Sequence, residues 1–162
     1  MRSRLFVLTL ALGVWVLDAA SKRYALQALA NGRQVQIVGD WLKLQLTANS
    51  GAAFSMGTSI TWVFTVLAAV VIVGILVAAS RVTSQLWLVG LGGLLGGAAG
   101  NLTDRLTRPP SVGMGNVVDF IAVPHFPVFN LADSAIVCSV LLMFLASARG
   151  IPFHDRDSLP HD

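Results

Sequence analysis

The sequence predicts an all-α membrane protein: four transmembrane helices, with a small extracytoplasmic β element and a Pro/Gly-rich loop on one face. Of 162 residues, 55% are hydrophobic and only 12% charged, where an ordinary soluble domain is about a quarter charged. Mean hydropathy is +0.73. Four apolar segments each approach the roughly 20 residues a helix needs to cross a hydrocarbon core of about 30 Å.

The first segment runs from Leu5 to about Ala20. Its basic start and short apolar centre resemble a secretory signal peptide. The run continues helically past Lys22 through "YALQALA", however, so an uncleaved span is expected, with Lys22 and Arg23 snorkelling to the interface. Within residues 22 to 59, "RQVQIVGDWLKLQLT" places Val35, Ile37, Leu42, Leu44 and Leu46 between polar neighbours. That is the period of a half-buried strand, and it predicts a hairpin on the membrane surface turned at Gly39 and Asp40. The second segment spans Ile60 to Ala79, and the third Leu86 to about Leu102. Glycines at 90, 92, 93, 96, 97 and 100 let helices approach closely, which places the third span in the middle of the bundle. From about Thr103 to Pro127, four prolines and two glycines rule out a continuous helix. The fourth segment covers Val128 to Ala148. Residues 1–150 read as a single four-helix domain, and 151–162 as a polar, disordered tail.

Charge excludes several functions. The net charge is +3, but the basic residues are scattered and form no stripe, so no nucleic acid partner is expected. They divide almost evenly between the two faces. Arg2 and Arg4 before the first span, and a tight 80–85 turn holding only Arg81, point to cytoplasmic termini. All eight acidic residues are aspartates, which removes an H-E-x-x-H zinc site. His125, His154 and His161 are not spaced as metal ligands, and no G-x-S-x-G is present. Cys138 lies in an apolar run, a poor setting for a nucleophile. No metal or cofactor is expected.

Polar residues in or near the spans gather at one face: Asp18 and Lys22, Asn49, Asn101 with Asp104 and Arg105, and Asn130 with Asp133. Asp18 and Lys22 share a helix face at i,i+4, as do Asn101 and Arg105. Singly, each has a bland reading: an interfacial ion pair, a solvated helix end at Asp104, a loop carboxylate at Asp119. Asp133 is harder to dismiss, because an ionised carboxylate at a span centre costs roughly 2.5 to 3.5 kcal/mol. Neither Asp119 nor Asp133 has a local basic partner. Brought together at low dielectric, two carboxylates cannot both ionise, which is the acid and base pair of an aspartic protease. An ion or proton pathway would instead spread ionisable groups over several depths, and a scaffold would leave Asp133 unexplained.

Five ordered motifs, "DAASK" (18–22), "NSGAAFS" (49–55), "GNLTDR" (100–105), "VVDF" (117–120) and "FNLADS" (129–134), resemble those of the lipoprotein signal peptidase (signal peptidase II) family. The resemblance extends from about residue 5 to 148. It implies a four-helix peptidase of the bacterial inner (cytoplasmic) membrane, with its site near the periplasmic leaflet. Such an enzyme removes signal peptides from prolipoproteins by cutting before a diacylglyceryl-modified cysteine. It further implies Asp119 and Asp133 as the catalytic dyad, and Asp18, Lys22, Asn49, Gly51, Asn101, Arg105 and Asn130 as substrate-binding residues. The implied partners are prolipoprotein signal peptides and membrane lipid, and a monomer is expected. Thr103 departs from the family pattern, where an aliphatic residue is usual.

Overall fold

The structure is a computed structural model that describes residues 2–51 and 61–154. The first residue of the expected second span, the "AAFS" of the second motif and most of the C-terminal tail lie outside the described residues. The order is α1 (Arg2–Ala28), β1 (Gln34–Val38), β2 (Leu42–Asn49), α2 (Thr61–Ala78), α3 (Gln85–Thr107), β3 (Val117–Ala122) and α4 (Leu131–Ala148). All four helices are long and apolar enough to cross a membrane.

Helix α3 is the central helix, packed against α1, α2 and α4. Its glycines allow this: a Cβ on Gly97 would stand 2.6 Å from the carbonyl oxygen of Ala132 in α4, and one on Gly96 would stand 2.6 Å from that of Ala11 in α1. Val7, Ala11, Ile75, Ala79, Leu88, Leu91 and Leu95 close the apolar core at one end of the bundle. At the other end, Ala25 and Leu29 meet Phe120 together with Val35, Leu44 and Leu46 of the sheet. The sheet thereby caps the bundle on the side where the polar residues converge.

Several expectations are corrected. Lys22 does not snorkel. It is turned inward and only 1% exposed, because two carboxylates and an amide oxygen inside the bundle converge on its ammonium. Arg23 does reach the surface. The hairpin forms as expected, with Gly39 in the left-handed region, but an irregularity between Gln36 and Val38 breaks the alternation and leaves Ile37 outside. The Pro/Gly-rich loop contains an unforeseen strand, β3, antiparallel to β2 and pairing Asp119 with Thr47. Helix α3 runs on to Thr107, stopping just before Pro109. Helix α4 begins at Leu131, three residues later than the apolar run suggests, because Asn130 is its N-cap.

Candidate active site

Helix α4 starts with a capping box. The Asn130 side chain accepts a hydrogen bond from the Asp133 N–H at 2.9 Å, and Asp133 Oδ2 accepts from the Asn130 N–H at 3.1 Å. Asp133 therefore has a local structural task that its sequence context does not reveal. Its second oxygen, Oδ1, accepts from Asn101 Nδ2 at 2.7 Å.

Strand β3 brings Asp119 to the same place from the opposite side. Both oxygens accept amide hydrogens: Oδ2 from Asn49 at 2.8 Å and Oδ1 from Asn130 at 2.6 Å. The Asn130 amide also donates to Asn101 Oδ1 at 3.2 Å. The two carboxylates are thus joined through Asn130 and Asn101, and each amide is oriented by the partners at both of its ends. Burial raises the Asp119 pKa to about 6. The neighbouring Asp133 charge adds to the shift, while the Asn49 and Asn130 hydrogen bonds oppose it.

Beneath this layer lies an ion cluster. Lys22 Nζ meets Asp18 Oδ2 at 2.7 Å, Asp104 Oδ2 at 3.0 Å and Asn101 Oδ1 at 3.1 Å. Asp18 Oδ1 accepts the N–H of Ala132 at 3.0 Å, tying α1 to the first turn of α4. Asp104 also pairs with Arg108 and accepts the N–H of Val118 at 3.2 Å, which fixes the strand that carries Asp119. Asp104 is the residue whose part sequence reasoning misses. It is no solvated helix end but 4% exposed, and its contact with Lys22 crosses 82 positions of sequence with no local trace.

A cavity of about 380 Å³ opens beside these groups. Asn49, Gly51, Asn101, Arg105 and Asp133 supply its polar wall, and Phe64, Leu67, Leu94 and Ile136 are among its apolar residues. Asp18, Lys22 and Asn130 are buried behind that wall. Asp119 faces a smaller concavity of about 220 Å³ under β2, and Asn49 borders both. Arg105 donates to the carbonyls of Gly115 at 3.0 Å and Asn49 at 3.4 Å, and its guanidinium stands 5.9 Å from the Phe64 ring centroid. Gly51 has φ +86, and a Cβ there would strike the Phe64 ring at 2.9 Å, so glycine is required at that corner. Among the described residues no group of His, Cys, Asp and Glu could hold a metal ion. Cys138 is exposed on α4.

The model of the signal peptidase (SPase) II family matches residues 10–149. A lipoprotein signal peptidase of Streptomyces coelicolor is 49% identical over 151 residues, covering 93% of this chain and 72% of that protein. One from Mycobacterium tuberculosis is 46% identical over 147 residues, 91% of this chain and 73% of the relative. In fold the chain is similar to a bacterial membrane enzyme solved in meso, with a TM-score of 0.78, 22% identity, and coverage of 96% of this chain and 93% of the other. A second such enzyme has a TM-score of 0.77 at 24% identity, with 87% and 91% covered. By these matches the chain is a bacterial membrane protease and belongs to the signal peptidase (SPase) II family.

Proposed function

We propose that this chain is an aspartic endopeptidase that removes prolipoprotein signal peptides by cutting before a diacylglyceryl-modified cysteine, with Asp119 and Asp133 as the catalytic pair. One observation carries the reading: two carboxylates from different elements are held at one site by a shared pair of asparagines, one beside a largely apolar cavity and the other with its pKa raised to about 6. A cysteine whose acyl chains remain in the bilayer fixes the depth of the scissile bond, so the acid and base must sit at that depth.

On this reading Asp119 keeps the proton. Asp133, ionised, takes a proton from water as the water oxygen attacks the carbonyl carbon, and Asp119 gives its proton to the carbonyl oxygen. The tetrahedral diol collapses when Asp133 returns a proton to the departing nitrogen and Asp119 recovers one from a hydroxyl. The C–N bond breaks, leaving the signal peptide as a carboxylic acid and the cysteine as a free amine. Asp18, Lys22 and Asn130 act on this chemistry by orienting Asn101 and the start of α4. Asn49, Gly51, Asn101 and Arg105 contact the substrate. The chain works as one peptidase domain over residues 1–150, as a monomer without cofactor in the inner membrane.

The capping box supplies a competing account, in which Asp133 only starts a helix. An amide oxygen caps as a carboxylate does, so Asp133→Asn preserves the cap and separates the two readings. Purified protein should cleave a diacylglyceryl-modified prolipoprotein. Asp119→Asn and Asp133→Asn should each lose on the order of 10³-fold in kcat while staying folded. The double variant should lose little more, since the pair acts as a unit. Near wild-type cleavage by Asp133→Asn would leave the residue as a cap alone.

A further inference from the structure

The far end of the bundle carries a second concavity whose chemistry is opposite to that of the site. It is a cleft of about 500 Å³ between the start of α1 and the end of α2, with Arg4 and Arg81 among its lining residues and Leu8, Val73, Leu76 and Val77 forming much of its apolar wall. Both arginines are exposed. Among the described residues, ion pairs engage Lys22, Lys43 and Arg108 but neither of these two. The carbonyl of Arg81 receives the His154 ring, which leaves its guanidinium uncommitted. The described carboxylates belong to the active site or the hairpin, so this end has cations and no counter-charge of its own among the described residues.

The apolar wall is exposed too: Val73 is 60% and Val77 55% accessible. Helix α2 ends at Ala78, five residues past Val73 or about 7.5 Å at 1.5 Å each, and Arg81 follows in the turn after it. That helical stretch is about half of one leaflet of a core about 30 Å thick. A pair of guanidiniums at a membrane face, above an apolar trough along the end of α2, matches a phosphate ester with an acyl tail. Guanidinium forks suit phosphate oxygens in particular. A water-soluble phosphate would leave the trough without an occupant.

We propose that this cleft binds an anionic phospholipid, its phosphate held between Arg4 and Arg81 and one acyl chain laid along Leu8, Val73 and Val77. The lipid bridges α1 and α2 at the end of the bundle away from the reaction. Native mass spectrometry of the full chain in nonionic detergent tests this, with phosphatidylglycerol and phosphatidylcholine offered at equal concentration. The phosphatidylglycerol adduct should exceed the other about thirtyfold, the scale expected of two basic residues at an anionic headgroup. Arg4→Gln/Arg81→Gln should abolish that preference. Arg149→Gln, at the same end but outside the cleft, should keep it, and Val77→Trp should weaken the adduct with no change in charge. Equal adducts of the two lipids, a preference that survives Arg4→Gln/Arg81→Gln, an adduct undiminished in Val77→Trp, or a preference lost equally in Arg149→Gln would overturn the proposal. So would displacement of the lipid by millimolar inorganic phosphate.

Discussion

Lys22 shows how a single charge can organise this molecule. Its ammonium lies between Asp18, Asp104 and Asn101, on two helices. Lys22→Met leaves two buried carboxylates without their shared cation, and the loss should be about 3 to 5 kcal/mol, the usual scale for breaking a buried ion pair. Thermal unfolding in detergent reads it; an unchanged midpoint would show that the cluster contributes nothing. Arginine should not substitute, because its planar fork cannot point three donors at converging acceptors. Asp119 makes a second prediction. A group with its pKa raised to about 6 is protonated below that pH and ionised above it. If it must carry the proton, kcat/KM falls as pH rises through about 6. A profile that climbs through the same range would exchange the roles of Asp119 and Asp133.

Among the elements, α3 is the one whose sequence leaves least freedom. The Gly97 Cα faces the Ala132 carbonyl, and an added methyl would also stand 2.8 Å from Ile136 Cγ1. Gly97→Ala should push α4 away and cost about 1 to 3 kcal/mol, as overpacking does. Because Ala132 and Asp133 are neighbours, the same change should lower activity. At Gly74 in α2 an added methyl would meet nothing within 4 Å. Gly74→Ala should therefore be neutral or stabilising by up to about 1 kcal/mol, from helix propensity. Equal effects at the two positions, measured as unfolding midpoints, would mean that close packing of α3 does not set the geometry of the site. Strand β3 is held from two directions, by β2 and by Asp104 through the Val118 N–H, so the carboxylate it carries is placed by backbone pairing and not by a loop.

For the whole molecule the open question is orientation, since charge counts alone are balanced. The site, the sheet and the Asp-rich cluster occupy one end of the bundle, and Arg2, Arg4, Arg81 and Arg149 mark the other. With both termini cytoplasmic, a reporter active only in the periplasm should function when fused after Arg108 and fail after Arg81 or Arg149. The reverse pattern would place the site on the cytoplasmic side and end the proposal of prolipoprotein cleavage near the periplasmic leaflet.

Spans, hairpin and the polar end of each helix are legible in the sequence, because hydropathy and strand alternation are local signals spread over many residues. Ordered motifs carry the family. Tertiary structure alone decides the rest. Strand β3 escapes sequence reading because Val117, Val118, Phe120 and Ile121 flank Asp119 on both faces, so a strand buried on both sides shows no alternation. Lys22 reads as an interfacial residue because its second and third acceptors lie 79 or more positions away. Asn49 reaches Asp119 across 70 positions. Such partners leave no periodic trace in a single chain, since burying a charge depends on which distant groups arrive beside it, and only the packed bundle brings them together.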